Sequence, residues 1–134
     1  IALCSVNPHA SDEGLFGDEE SRVLIPAIEE LRDSQVEAEG PIPADTVFRR
    51  ALKGEFDAVI APYHDVGIAP FKTVTFGKGV NVTLGLPFIR TSPDHGTAFD
   101  LVGTEQADPS SMVEAIRMAL YLARSRFDTL ATPM

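Results

Sequence analysis

The sequence contains a single cysteine, Cys4, among its 134 residues. One cysteine excludes an internal disulfide and a metal site built on several thiolates, and it is typical of a protein from a reducing compartment. The sequence also lacks any apolar run approaching the roughly 20 residues that a membrane-spanning helix needs. We therefore expect a cytoplasmic protein without a transmembrane segment.

Basic residues are scarce as well. The chain has 11 Lys and Arg residues and 20 Asp and Glu residues, which gives a formal net charge of −9. Nucleic acids and anionic membranes are bound by clustered Lys and Arg, so this balance argues against both as partners. Hydrophobic residues make up 44% of the chain, which is enough for a folded core.

Neither internal repeats nor low-complexity segments interrupt the chain, so we expect a single α/β unit over residues 1–134. The chain begins at Ile1, inside an apolar run and without a methionine or the features of a signal peptide. We therefore expect it to be the carboxyl-terminal fragment of a longer protein.

Predicted strands alternate with predicted helices along the chain. Apolar runs predict strands at 1–6, 35–40, 57–62 and 80–86, and helical spacing predicts helices at 18–33, 44–54 and 108–127. Segment 87–96 is predicted to be a loop. This alternation indicates an α/β fold with a mainly parallel sheet flanked by helices.

Two of the predicted helices carry specific expectations. Pro26 should kink the first helix or mark a late start, because proline lacks the backbone N–H that an interior position needs. In the last helix, Ser110 or Ser111 is predicted to cap the amino terminus. The apolar stripe expected to face inward consists of Val113, Ile116, Leu120 and Ala123.

All three histidines follow apolar runs. His9 lies in "NPHASDEG", His64 in "YHDVG" and His95 in "SPDHGTA". A lone histidine is more often structural, but the carboxyl ends of parallel strands converge on one side of a sheet. Two neutral imidazoles with a third ligand and an open position would hold a metal that polarises an alcohol or carbonyl oxygen.

Between Gly54 and Ile116 only three cations occur, Lys72, Lys78 and Arg90. In an acidic protein, cations beside candidate ligands indicate an anionic substrate, which Arg grips through paired hydrogen bonds and Lys attracts as a point charge. We interpret Lys78, in "FGKG", as a solvated turn residue. Asn81 either orients a substrate group or is an ordinary turn residue.

The segment "DHGTAFDLVGTEQADPSS" combines glycines with acidic residues. Gly96 and Gly103 permit close backbone approach to a ligand. Asp100 could accept hydrogen bonds from ribose hydroxyls, or it could cap a local turn. The spacing is not GxGxxG, so the pattern alone is a weak indication of a nucleotide site.

Several strings together identify a family. "NPHA", "GPIPADTVF", "YHDVGIAPFK", "GKGVNVTLGLPFIRTSPDHGTA" and "ADPSS" closely resemble, in order, the carboxyl-terminal part of the PdxA family of 4-hydroxythreonine-4-phosphate dehydrogenases of vitamin B6 synthesis. That family is similar in fold to isocitrate and isopropylmalate dehydrogenases. "HGTAFD" and "ADP" look like the cofactor loop of those enzymes.

The resemblance implies roles for the residues singled out above. A cofactor, NAD or NADP, would be held by His95, Gly96, Thr97, Ala98 and Asp100. His9 and His64 would be two of three histidines that bind a divalent metal (Zn, Mn, Co or Mg) at a homodimer interface. Substrate would meet Lys72, Asn81 and Arg90.

Two acidic residues match positions near the reacting centre of the family. Asp45 in "PADT" and Asp65 in "YHD" are predicted to handle protons or to orient the histidines. The structural alternatives are a helix N-cap for Asp45 and a turn for Asp65.

The implied activity is metal-dependent, NAD(P)-linked oxidation, with decarboxylation, of 4-phosphohydroxy-L-threonine, a small phosphorylated hydroxy acid. The chain has "YHDVG" and "HASDEG" where "YHDQG" and "HAGEGG" are expected. Alternative substrates are therefore D-threonate or D-erythronate 4-phosphate, or an aromatic cis-dihydrodiol. We expect the 134 residues alone to be inactive.

Two alternative functions, neither of them a dehydrogenase, remain open. One is a non-catalytic NAD-binding module, and the other is an acyltransferase related to phosphate acetyltransferases, which use no nicotinamide. The intact "HGTAFD" loop and the retained His9 and His64 count against both.

Overall fold

The computed structural model describes the backbone of residues 1–131 and the side chains of residues 1–125. The chain packs as two compact units, the first over Ile1–Pro70 and the second from Phe71 onward. The single α/β unit expected over residues 1–134 stays a prediction, because the packing inside each unit does not test it.

The first unit is built on a three-stranded parallel sheet with the order β2-β1-β3. Its strands are β1 (Ala2–Cys4), β2 (Glu39–Ile42) and β3 (Val59–Ile60). Its helices are α1 (Ile25–Asp33), α2 (Ala44–Leu52) and the part of α3 (His64–Thr75) that ends at Pro70. The α/β class predicted from the sequence is confirmed.

Strand β1 is the centre of the core, and both of its faces are buried. Successive side chains of a strand point to opposite faces, so β1 serves two clusters. One cluster contains Ala2, Cys4, Ile42 and Val47. The other contains Leu3, Leu24, Ile28 and Ala38. Cys4 is a free thiol, and burial raises its pKa.

Pro26 lies in the first turn of α1, immediately after a π-helical turn at Glu20–Leu24. A proline is tolerated in a first turn, where its missing N–H would lack a helical partner anyway. The late start of the α-helix predicted from Pro26 is confirmed.

Strand β2 differs from its prediction. We expected a strand at 35–40 closed by Gly40-Pro41, whereas the observed strand runs through both residues to Ile42. Ala2 pairs with Glu39 and Cys4 with Ile42, so β2 carries one extra residue opposite β1. A bulge and a proline are both tolerated because β2 is an edge strand.

Helix α3 was not predicted. Gly67 and Pro70 lie inside it, and both residues are poor helix formers by intrinsic propensity. A Cβ at Gly67 would lie 2.9 Å from the Ala61 Cβ, so the glycine permits close packing here. His64 is therefore the first residue of a helix and does not lie at a strand tip, as the sequence suggested.

The second unit contains an antiparallel hairpin of β4 (Val80–Thr83) and β5 (Arg90–Pro93), covered by α4 (Ser110–Ala131). The loop predicted at 87–96 is wrong for the four residues of β5. The Thr91 hydroxyl donates a hydrogen bond of 2.9 Å to the Ala115 carbonyl, which ties the hairpin to the helix.

The face of α4 that packs inward also differs from its prediction. Val113, Ile116 and Leu120 are 40%, 54% and 54% exposed, whereas Ser111 and Ala115 are buried. Ala123 is half-buried. The hairpin thus buries small residues one turn apart, and the larger apolar side chains of the helix stay about half exposed. None of the described helices combines the length and apolar character that crossing a membrane requires.

Candidate functional site

A cavity of about 490 Å³ lies in the second unit. Its walls come from the end of α3, the loop after β5 and the start of α4. Four of the residues predicted from the sequence line it together: Lys72, His95, Thr97 and Ala98. The cavity is within the range of small-molecule and cofactor sites.

The lining of this cavity is mixed. The apolar part consists of Phe76, Ala98, Leu101, Val102 and Ala107. The charged or titratable part consists of Lys72, Asp94, His95 and Asp108. Apolar walls with a few polar groups suit a heteroaromatic base, so the described residues fit the nucleoside half of a nicotinamide cofactor.

Ser111 holds the wall of the cavity together. Its hydroxyl accepts a hydrogen bond of 3.2 Å from the Asp94 amide and lies 2.9 Å from Asp94 Oδ1 and 3.3 Å from the Gly79 carbonyl. A hydroxyl has one hydrogen to donate, and the carboxylate is the nearer and the charged acceptor. A Cβ at Gly79 would lie 2.6 Å from Asp94 Oδ2, so only glycine leaves room for this arrangement.

We expect Ser111→Ala to lower the free energy of unfolding by about 2 kcal/mol, because the Asp94 amide loses its acceptor in a partly buried place. Urea unfolding of the complete protein measures this change. Ser110→Ala is the matched control, since Ser110 is exposed and its hydroxyl donates its hydrogen bond to the exposed carboxylate of Asp108. Equal losses for the two variants would contradict the role given to Ser111.

Asp108 is a residue that the sequence reasoning left out of the site. Its Oδ1 accepts hydrogen bonds from the Ser110 amide at 2.9 Å and the Ser110 hydroxyl at 2.5 Å. These bonds lower the pKa of the Asp108 carboxyl. The cap predicted for Ser110 or Ser111 is therefore wrong: the carboxylate of Asp108 binds the first turn of α4. The signal was present in the "ADP" string, which resembles part of a cofactor loop.

Two of the predicted cofactor residues lie outside the lining of the cavity. Gly96 follows His95, whose Nδ1 lies 2.9 Å from the Gly96 carbonyl oxygen. Asp100 lies in a single 3-10 turn, Phe99–Leu101, and is exposed. Their cofactor roles stay predictions.

Asn81 and Arg90 share one face of the hairpin. Asn81 pairs with Ser92, and Thr83 pairs with Arg90, so the two predicted substrate residues are diagonal neighbours. Arg90 Nη1 donates a hydrogen bond of 2.8 Å to the Thr83 hydroxyl. Both side chains are exposed, which leaves them accessible to a ligand.

His64 and Asp65 begin helix α3 and are exposed. The Tyr63 hydroxyl donates a hydrogen bond of 3.1 Å to Asp65 Oδ2, and this bond raises the pKa of Tyr63. In the described part of the chain the Asp65 carboxylate thus accepts a hydrogen bond from Tyr63. Its predicted role, to handle protons or to orient the histidines, stays a prediction.

His9 lies on a strained loop. Five successive residues without glycine have positive φ: His9, Ala10, Ser11, Asp12 and Glu13. Such backbone is costly and is found where the surrounding structure holds it for function. The His9 ring is exposed and lies 6.4 Å from the Phe16 ring, measured between centroids.

Asp45 lies in the first turn of α2, after Pro43 at the N-cap position, so it is not the N-cap that the structural alternative proposed. Across the residues that the structure describes, no three His, Cys, Asp or Glu side chains gather as a metal site. His9 and His64 alone do not make up the three protein ligands usual in a catalytic zinc site. The predicted metal role of both residues stays a prediction.

Comparison with known proteins gives a consistent result. Residues 1–119 match the family model described as pyridoxal phosphate biosynthetic protein PdxA. The chain is 55% identical over 122 residues to a 4-hydroxythreonine-4-phosphate dehydrogenase of Beijerinckia indica, covering 91% of this chain and 36% of the relative. It is 54% identical over 123 residues to a D-threonate 4-phosphate dehydrogenase of Salmonella typhimurium, covering 92% and 38%.

A solved structure is similar as well. The crystal structure of a 4-hydroxythreonine-4-phosphate dehydrogenase from Klebsiella pneumoniae aligns with a TM-score of 0.80 at 52% identity, over 91% of this chain and 37% of that one. The chain thus spans between 36% and 38% of the length of these three proteins. The family resemblance noted in the sequence is confirmed.

Proposed function

The chain belongs to the PdxA family of pyridoxal phosphate biosynthetic proteins, and on that premise we propose that the complete protein oxidises a phosphorylated hydroxy acid with a nicotinamide cofactor. The observation that carries the proposal is the cavity of the second unit, which brings Lys72 together with His95, Thr97 and Ala98. An anion-binding side chain and a nucleoside-sized apolar recess are what such a reaction needs near each other.

The first candidate substrate is 4-phosphohydroxy-L-threonine. Hydride would leave the carbon that bears the secondary alcohol and reduce the nicotinamide ring, while the hydroxyl proton passes to a base. The resulting β-keto acid would lose CO₂. Asp45 and Asp65 are the proposed proton handlers, and Lys72, Asn81 and Arg90 the proposed anchors of phosphate and carboxylate.

The second candidate substrate is D-threonate 4-phosphate. The specific observation in its favour is the 54% identity to an enzyme named for that substrate, beside 55% to one named for 4-hydroxythreonine 4-phosphate. Both compounds carry the same phosphate, carboxylate and secondary alcohol, so the same anchors serve either one. The difference lies at the neighbouring carbon, which bears an amino group in one and a hydroxyl in the other.

The predicted divalent metal and homodimer belong to the same proposal. A metal, when bound, would polarise the alcohol oxygen. His9 and His64 would supply two donors, and among the described residues no group of three His, Cys, Asp or Glu side chains gathers to complete a site.

The deciding experiment is an NAD(P) reduction assay on the complete protein with the two substrates side by side. Turnover of 4-phosphohydroxy-L-threonine supports the first candidate, and turnover of only D-threonate 4-phosphate supports the second. Activity with neither, although the cofactor binds, would call for assays with D-erythronate 4-phosphate and an aromatic cis-dihydrodiol. Inactivity with these compounds too would leave the non-catalytic NAD-binding module. Parallel reactions with a chelator test the metal prediction separately.

We expect Lys72→Ala to lower kcat/KM for the phosphorylated substrate about 30-fold, because a charge-assisted contact is lost. The matched control is Lys78→Ala, since Lys78 is also an exposed lysine of the second unit but does not line the cavity. Steady-state kinetics on both variants give the comparison. A loss of similar size in the control would show that general charge, and not Lys72, matters.

A further inference from the structure

The hairpin of β4 and β5 has one face toward α4 and one face away from it. The Thr91 hydroxyl donates its hydrogen bond to the Ala115 carbonyl of α4, and Thr91 pairs with Val82, so these two strand residues mark the face toward the helix. Successive side chains of a strand point to opposite faces. The opposite face, here called the polar face of the hairpin, therefore consists of Asn81, Thr83, Arg90 and Ser92.

Arg90 is the cation of this polar face, and its charge is not offset by the fold. The side chain is exposed, and in the described part of the chain it forms no salt bridge. Its Nη1 instead donates a hydrogen bond of 2.8 Å to the neutral hydroxyl of Thr83. A guanidinium carries five N–H donors, and this bond uses one of them. The charge and a fork of donors are left for an anion.

A second arginine shows what a different partner would do. Arg50 is paired with Glu39 at 2.9 Å and with Glu55 at 2.7 Å, so two carboxylates offset its charge. A threonine hydroxyl can hold a guanidinium without offsetting that charge. Thr83 is suited to this because two heavy atoms on its Cβ restrict the first side-chain torsion, and because it lies on a paired strand, directly opposite Arg90.

We propose that Thr83 is a positioning residue for the substrate: its hydroxyl holds the Arg90 guanidinium in the orientation in which the remaining N–H donors meet an anionic group of the substrate. The proposal rests on the proposed function, which makes Arg90 an anchor of phosphate or carboxylate. Arginine loses much rotational freedom when it binds an anion, and a side chain that is already held loses less. The alternative is a cross-strand contact that only stabilises the hairpin.

The test is steady-state kinetics on the complete protein, with the candidate substrate that it turns over. Thr83→Val keeps the branched shape and removes the hydroxyl, and it should raise KM about 10-fold while kcat changes less than about 2-fold. Thr83→Ser restores the hydroxyl and should bring KM back to within about 3-fold of the wild type. In an Arg90→Ala background, Thr83→Val should change KM by less than about 2-fold, because the two residues act as one unit.

Thr91→Val is the matched control, since it is the same substitution on the opposite face of the same hairpin. It removes the hydrogen bond to α4, so it should lower the midpoint of urea unfolding and leave KM unchanged. An unchanged KM in Thr83→Val, or a 10-fold rise that persists in the Arg90→Ala background, would overturn the proposal. A wild-type protein that oxidises none of the candidate substrates would overturn the proposed function, and this role of Thr83 with it.

Discussion

Glu20→Ala is expected to lower the free energy of unfolding by about 4 kcal/mol and to release the loop that carries His9. Glu20 is only 3% exposed. Its Oε1 accepts hydrogen bonds from the Val6 amide at 2.9 Å and the Asn7 amide at 2.7 Å, and its Oε2 accepts one from Asn7 Nδ2 at 2.8 Å. Removing the carboxylate leaves the Val6 and Asn7 amides unpaired in a partly buried place, and it takes away one of the two hydrogen bonds that Asn7 Nδ2 donates.

The loop depends on this anchor because its own backbone is strained. Residues 9–13 all have positive φ without a glycine, and each such residue costs on the order of 1 kcal/mol. Glu20 holds the chain just before the strained stretch. Without Glu20, the strained loop loses the contact that holds His9 in its observed place. We therefore expect the lower free energy of unfolding to be accompanied by altered hydrogen–deuterium exchange of the loop amides.

Two variants make the test of Glu20 sharp. Glu20→Gln keeps an oxygen at the position of Oε1, which makes both backbone hydrogen bonds, so most of the stability should return. Glu19→Ala removes a neighbouring carboxylate that accepts one hydrogen bond, at 2.7 Å from Asn7 Nδ2, and should cost about 1 kcal/mol. Urea unfolding compares all three, and equal losses at positions 19 and 20 would contradict the account.

Glu20 also predicts a pH dependence. Burial raises the pKa of its carboxyl, but hydrogen bonds from the Asn7 side chain and from the amides of Asn7, Glu20 and Val6 outweigh burial, so the pKa lies below its ordinary value. A lowered folded pKa gives stability that is present above the unfolded value of about 4.3 and is lost as the pH falls through the folded value. Glu20→Gln should lack this part of the acid-induced loss.

Gly40→Ala should be comparably damaging, with an expected loss of about 4 kcal/mol or failure to fold. Gly40 has φ +146°, a conformation that L side chains rarely adopt. A Cβ there would lie 2.5 Å from the Leu3 carbonyl oxygen, which is backbone of the central strand and cannot move aside. The substitution combines backbone strain with a clash against the core sheet.

Gly54→Ala is the control for that prediction. Gly54 also has a positive φ, +82°, but nothing lies within 4 Å of a Cβ built on it. It therefore isolates the cost of the backbone conformation, about 1 kcal/mol. Thermal unfolding followed by circular dichroism measures both variants. A loss at position 40 no larger than that at position 54 would show that β1 and β2 can separate without cost.

Much of the fold could be predicted because the hydrophobic periodicity and the turn residues indicate the same helices and strands. The apolar run of β1, the late start of α1 after Pro26 and the extent of α2 all follow from periodicity and turn residues. The secondary-structure predictions failed where tertiary packing outweighs the intrinsic helix propensity of the residues. Gly67 and Pro70 argued against α3, yet close packing against Ala61 gives the glycine a role.

The site could be predicted only in part. The resemblance singled out Lys72, His95, Thr97 and Ala98, which one cavity brings together. It gave Asp108 no role of its own, although the string "ADP" contains it. It did not reach Ser111, because the importance of Ser111 comes from hydrogen bonds to Asp94 and Gly79, which are 17 and 32 residues away. The buried face of α4 was also predicted wrongly. Periodicity indicates which face of a helix is apolar, but the side chains that are buried in this helix are the small ones, Ser111 and Ala115.

The central claim is that the cavity of the second unit holds the dinucleotide. Hydrogen–deuterium exchange on the complete protein, with and without NAD, tests it most directly. The account predicts that NAD slows exchange of backbone amides within residues 94–111, which form the loop and helix start around the cavity. NAD binding that leaves these amides unchanged and protects another part of the protein would contradict it.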